Sequence, residues 1–148
     1  MKGRTAGFTV IEMMLAITVL GILTTISVAP IRDTMAREAV RGARMTTATH
    51  VARARSAAST RGCAAVLHFD SNGGMWVTAC AVNQAGIDTV GAVDDLDTRF
   101  DVQFSANQDS VVFQPTGMMT STGTLQIEFQ RGDISDSLGI SPVGRLLW

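Results

Sequence analysis

Three sets of side chains in this sequence have the type and spacing to do chemistry. Glu12 is the only ionisable residue between Phe8 and Ala29. A carboxylate in so apolar a stretch calls for a counter-charge, because unpaired charge in hydrocarbon costs several kcal/mol, about 2.5–3.5 on insertion scales for Asp, Lys or Arg. Cys63 and Cys80 are the only cysteines, with no CxxC and no histidine at zinc-ligand spacing, so a single disulfide is the economical reading outside a reducing compartment. Asp94, Asp95 and Asp97 crowd together, but they lack the DxDxDG pattern and distal glutamate of a calcium loop and read as a solvated acidic loop. His50 or His68 beside Cys63 would make a nucleophilic dyad, for which nothing else in the chain speaks. No nucleophile with its base, carboxylate pair or metal cluster emerges, which argues against an enzyme and against any metal or cofactor.

The elements that must position these groups follow from patterning. The chain has 148 residues, enough for one modest domain, and its net charge of −1 hides an asymmetry. Residues 1–61 hold nine Lys/Arg against three Asp/Glu, whereas residues 62–148 hold three against ten. A basic stem therefore carries an acidic head. Lys2 and Arg4 precede the apolar stretch and belong on the cytoplasmic side of a membrane. The 22 residues from Phe8 to Ala29 rise about 33 Å as a helix, enough to cross a hydrocarbon core of about 30 Å once. The competing reading is a secretory signal peptide cut after Ser27-Val28-Ala29, which would place Glu12 in its apolar region and Pro30 directly after the cut.

Beyond Pro30 the apolar residues recur at spacings of three and four, through Ile31, Met35, Ala39, Ala43, Thr46 or Thr47, His50, Ala54 and Ala57. This predicts an amphipathic helix to Arg61 closed by Gly62. Its arginines have two readings: contact with phosphates or lipid head groups, or a solvated face turned to acidic surfaces of neighbouring subunits. CAAVLHF (63–69) and MWVTACAV (75–82), joined by Asp70-Ser71-Asn72-Gly73-Gly74, predict a hairpin. The two cysteines lie symmetrically about its turn, opposite one another on adjacent strands, at disulfide range. Asn83 to Thr98 reads as a surface loop. Alternation then predicts strands at Phe100/Val102/Phe104, Val111/Phe113 and Leu125/Ile127/Phe129, with a closing strand within Ile140–Trp148.

A basic leader ending in Gly7, then Phe8, then Glu12 as the fifth residue of an apolar helix, resembles the cleavage and methylation signal of type IV pilins and type II secretion pseudopilins. Further along, Arg53-Ala54-Arg55-Ser56-Ala57-Ala58, Arg61-Gly62, Val112-Phe113-Gln114-Pro115-Thr116-Gly117 and Gly144-Arg145 resemble the GspH/FimT group of minor pilins and pseudopilins. The resemblance implies an α+β fold, a long N-terminal helix packed on a small, mainly antiparallel β head. It also implies processing between Gly7 and Phe8 with N-methylation of Phe8, and an assembly role for Glu12 against the Phe8 amine of a neighbouring subunit. The division that follows is a leader at 1–7, a transmembrane and assembly helix at 8–30, an amphipathic helix at 31–62 and the head at 63–148. Implied partners are other pilins or pseudopilins, prepilin peptidase, the inner-membrane assembly platform and the lipid bilayer. The expected place is the bacterial inner membrane, crossed once with the head periplasmic, and then the filament. Some FimT-like relatives bind DNA through a C-terminal Gly-Arg-x-Arg element. Here the match stops at Gly144-Arg145, so Arg145 and Arg131 are the candidates for a second, DNA-binding reading.

Overall fold

In a computed structural model, residues 7–83 and 85–147 are described, and for residues 25–30 the backbone alone. Lys2, Arg4, the Pro30 ring and Trp148 lie outside the described residues. The chain divides into two compact units, Met1–Met35 and Ala36–Trp148. Helix α1 (Val10–Arg61) belongs to both. It starts at Thr9, whose hydroxyl accepts from the Glu12 amide at 3.3 Å while the Thr9 amide donates to the Glu12 carboxylate at 2.9 Å, a reciprocal capping box. It ends at Gly62, where φ of +65° suits a residue without Cβ.

In the first unit the apolar side chains from Phe8 to Leu23 are exposed. Among the described residues no helix is long and apolar enough to cross a membrane, and the span expected from Phe8 to Ala29 includes side chains outside the description.

In the second unit α1 contributes a buried stripe of small residues, Ala39, Val40, Ala43, Val51, Ala54, Ala57 and Ala58. Two antiparallel sheets supply the larger side chains. One comprises β1 (Ala65–Phe69), β2 (Gly74–Cys80), β3 (Ile87–Thr89), β4 (Asp94–Asp95) and β6 (Ser110–Phe113), ordered β3-β2-β1-β6 with β4 also on β2. The other is β5 (Gln103–Ala106), β7 (Leu125–Arg131), β8 (Ile134–Ile140) and β9 (Leu146–Leu147), ordered β5-β7-β8-β9. Alternate residues point inward, so Leu67, Met75, Phe113, Leu125, Ile127, Phe129, Leu138 and Ile140 are fully buried while Gln126, Glu128 and Gln130 face solvent. This is the expected α+β arrangement of a long N-terminal helix and an antiparallel head.

Several local expectations change. The stretch from Asn83 to Thr98 is not a plain loop: it holds β3, β4 and the start of α2 (Leu96–Phe100). Asp95 caps α2 by accepting from the Thr98 amide at 3.1 Å. Leu96 and Phe100, four residues apart, share a helix face, so Phe100 ends α2 instead of opening a strand. Asp101 then turns the chain at φ 53° and ψ 50°. Ile134–Ile140 forms β8, which alternation alone had not picked out. It pairs with β7 from Arg131↔Ile134 to Leu125↔Ile140 around the Gly132-Asp133 turn. The first hairpin is registered Ala65↔Ala79 to Phe69↔Met75, which sets Ala64 opposite Cys80. Cys63 therefore bonds to Cys80 from the turn after α1, with the Cα atoms 6.3 Å apart, and not as a directly opposed strand pair.

Candidate functional site

At the start of α1 the backbone of Gly7, Phe8 and Thr9 is non-helical and exposed, and nothing lies within 4 Å of where a Gly7 side chain would begin. Four residues on, Oε2 of Glu12 accepts from both the Thr9 amide and the Thr9 hydroxyl, each at 2.9 Å. Oε1 has no hydrogen-bond partner among the described residues. The carboxylate is therefore held in one orientation at the positive end of the helix with one oxygen available to an incoming cation. Thr9-x-x-Glu12 is the sequence signature of this cap.

From Arg44 onward the arginines of α1 grip the head of their own chain. Arg44 pairs with Asp136 of β8 at 2.8 Å. Arg55 donates to the Gly144 carbonyl at 2.8 Å and Arg61 to the Cys80 carbonyl at 2.6 Å. The Arg53 guanidinium lies against Gly91, where a Cβ would come within 2.9 Å of it. These contacts fasten the helix to strands and loops 19 to 92 residues distant in sequence, with Arg44 and Asp136 the most separated. Of the family-like positions, Arg55 and Gly144 thus meet each other, which no local pattern could reveal.

His50, fully buried on α1, places Nε2 at 2.8 Å from Oδ2 of Asp94, while Oδ1 of Asp94 accepts from Arg99 at 2.9 Å. Burial pushes the His50 pKa below its usual value, opposed by the hydrogen bond to Asp94. The imidazole and Arg99 hold the Asp94 carboxyl below the ordinary carboxylate range. His68 stacks on Trp76 with ring centroids 5.2 Å apart and bonds to the Thr78 hydroxyl at 2.8 Å; burial lowers its pKa too. Cys63 is joined to Cys80 and His50 to Asp94, so the two halves of a cysteine–histidine dyad are each otherwise engaged. The acidic cluster is divided in the same way: Asp94 holds His50 and Arg99, and Asp95 holds Thr98. Among the described residues no three His, Cys, Asp or Glu side chains converge on a metal position.

Of the DNA-contact candidates, Arg131 pairs with Asp101 at 3.1 Å and Arg145 is exposed before β9. A shallow groove on the outer face of the second sheet is lined by Gln103, Ser105, Glu128, Gln130, Ser135 and Ser137. Its lining holds no cation that would attract an anion, and its two rings, Phe104 and Phe129, are half-buried and buried, so neither offers a face on which a base could stack.

The family described as Type II transport protein GspH matches residues 43–144, and the Prokaryotic N-terminal methylation motif matches residues 2–28. Two crystal forms of the type IV minor pilin FimU from Pseudomonas aeruginosa share the fold. One aligns at 17% identity over 75% of this chain and 88% of that one, with a TM-score of 0.60. The other aligns at 18% identity over 72% and 90%, with a TM-score of 0.57. No curated protein matches the chain.

Proposed function

The chain belongs to the GspH family, as a GspH/FimT-type minor pilin, and on that premise we propose that it is a minor structural subunit assembled through its N-terminal helix into a type IV pilus or type II secretion pseudopilus. Family and fold are those of structural subunits. The observation that carries the assembly step is the start of α1, where a capped carboxylate at Glu12 opens a run of exposed apolar side chains. In this reading the chain sits in the inner membrane with Phe8 to Ala29 as its single span and its head in the periplasm. Prepilin peptidase cuts after Gly7, which removes Lys2 and Arg4 from the end of the apolar helix. The new Phe8 amine, once methylated, meets the free carboxylate oxygen of Glu12 on a neighbouring subunit, so that neither charge stays unpaired in apolar surroundings. The assembly platform moves the processed chain into the filament. Small residues such as Ala16 and Gly21 let neighbouring helices approach closely there.

The test separates the charge of Glu12 from its cap. Glu12→Gln keeps a side chain that can cap Thr9 but carries no charge, whereas Glu12→Ala loses both. Both variants are expected to be depleted severalfold in sheared filaments relative to wild type. Wild-type recovery of Glu12→Gln would overturn the charge role. N-terminal mass analysis of the same filaments checks processing, and a mature chain that starts anywhere but at methylated Phe8 defeats it.

A further inference from the structure

The two edges of the first sheet are finished differently. Beyond β6, residues 118–120 cover the edge: the Gln114 amide donates to the Met118 carbonyl at 2.8 Å and the Thr120 amide to the Val112 carbonyl at 2.9 Å. At the other edge β3 pairs with β2 and with no further strand. The Ala81 amide donates to the Gly86 carbonyl at 2.9 Å and the Val90 amide to the Val77 carbonyl at 2.8 Å, so Ala81 faces Gly86 and Val77 faces Val90 as hydrogen-bonded pairs. Bonded pairs alternate along an antiparallel ladder. Ala79 and Asp88 are therefore bonded as well, and Ile87 and Thr89 turn their N–H and C=O groups away from β2. Those outward groups make no hydrogen bond among the described residues, and every residue of β3 is exposed.

The side chains at this edge are also open. Ile87 is 79% exposed, and Val82, which lines the same shallow hollow at the end of the β2–β3 hairpin, is 84% exposed. Ile87 and Thr89 lie opposite Cys80 and Thr78 on the outer face of the sheet. Asp88, opposite Ala79 on the other face, makes no ion pair among the described residues. The strand has neither the lysine nor the proline that commonly keeps a solitary edge from pairing. The Cys63–Cys80 bond and Arg61 on the Cys80 carbonyl hold the adjoining end of β2, so the edge has little freedom to lose on binding.

We propose that β3 is the docking edge for an extended segment of a different subunit of the filament. That segment adds an antiparallel strand through the N–H and C=O groups of Ile87 and Thr89, with apolar side chains opposite these two residues and a Lys or Arg opposite Asp88. Outward backbone groups at every second residue call for an extended chain, and the carboxylate between them calls for a cation. A symmetric pair of this chain does not fit. In the two-fold register that sets Ile87 against Thr89, the two Asp88 carboxylates stand directly opposite and repel. The inference rests on the reading of the chain as a minor subunit, whose neighbours are other chains, and it names the edge of the head that holds one of them.

The test places the photoreactive residue p-benzoylphenylalanine at position 87 of the full-length chain and irradiates sheared filaments. Mass spectrometry is expected to find position 87 joined to another pilin, at a segment in which Lys or Arg stands between apolar residues. Thr89→Pro removes an N–H that β2 does not use and blocks an added strand. It is expected to lower the cross-link yield about fivefold, the scale of one lost backbone hydrogen bond. Asp88→Lys leaves the backbone untouched and is expected to lower the yield about threefold through like charges across the new pair. Thermal unfolding in neutral detergent checks that each variant head is folded, and where Thr89→Pro unfolds early, Asp88→Lys decides alone. Undiminished yield in folded variants overturns the docking edge. So does a product with a second copy of this chain or with lipid alone, and so do filaments that contain the chain and give no product. Those results leave the subunit role standing, whereas filaments that lack even the wild-type chain overturn both readings.

Discussion

His50 sits in the buried stripe of α1, where an apolar side chain would have been simpler. Its Nε2 is held by Asp94, which also binds Arg99, while Nδ1 has no hydrogen-bond partner among the described residues. The charged groups facing the ring are Asp94, which favours the imidazolium, and Arg53 one turn on, which opposes it. Burial outweighs the carboxylate, so the folded chain prefers neutral imidazole and its pKa falls below the unfolded value. The unfolded chain then binds more protons below about pH 6.5, so the contribution is intact above that value and is lost as pH falls toward the folded pKa. Asp94 is depressed as well, but its contribution is lost only in a more acidic window, below the usual carboxylate value. Thermal unfolding is expected to move to lower temperature between about pH 7 and pH 5, with a shallower slope in His50→Gln. An equal slope in both proteins would remove His50 as the cause. The histidine's place on the apolar stripe was legible in the sequence. Its partner was not, because Asp94 lies 44 residues away in a stretch that reads as loop.

At the scale of elements, α1 and the first hairpin are joined twice at the same end, by the Cys63–Cys80 bond and by Arg61 on the Cys80 carbonyl. The bond closes a short loop, with a sequence separation of 17, for which chain entropy predicts about 3 kcal/mol. Cys63→Ser with Cys80→Ser is expected to lower the stability of the head by about 2–4 kcal/mol in urea unfolding, with the sheet signal of the native state retained. A loss within error would mean that Arg61 and core packing hold the helix end unaided. The existence of α1, the hairpin, β6 and β7 was readable from apolar period and turn residues. α2 was hidden because five residues are too few to establish a helical period. What decides it is the cap by Asp95 and the burial of Leu96 against Gly73. β8 was hidden by its polar Ser135, Asp136 and Ser137, one of which turns out to be an anchor for Arg44.

For the molecule as a whole, the excess of acidic residues after Arg61 opposes nucleic acid, and the fold reinforces the opposition. Arg131 is engaged by Asp101, and Arg145, the other DNA-contact candidate, is exposed and makes no ion pair among the described residues. The full-length chain in neutral detergent is expected to give no retardation of duplex DNA in a low-salt gel-shift titration, and retardation abolished by Arg145→Ala would reverse this conclusion. The sequence by itself determined the apolar helix with its single carboxylate, the amphipathic continuation and the charge division. Those features are carried by local period and composition, which survive without tertiary contacts. Only the tertiary structure decided that four arginines of the stem, Arg44, Arg53, Arg55 and Arg61, are internal anchors, that Arg37 and Arg41 make no ion pair among the described residues, and that Asp94 is a partner for a buried histidine. Each of those outcomes depends on which distant segment folds against a given face of α1, and pairwise contacts across many residues leave no periodic trace in the chain.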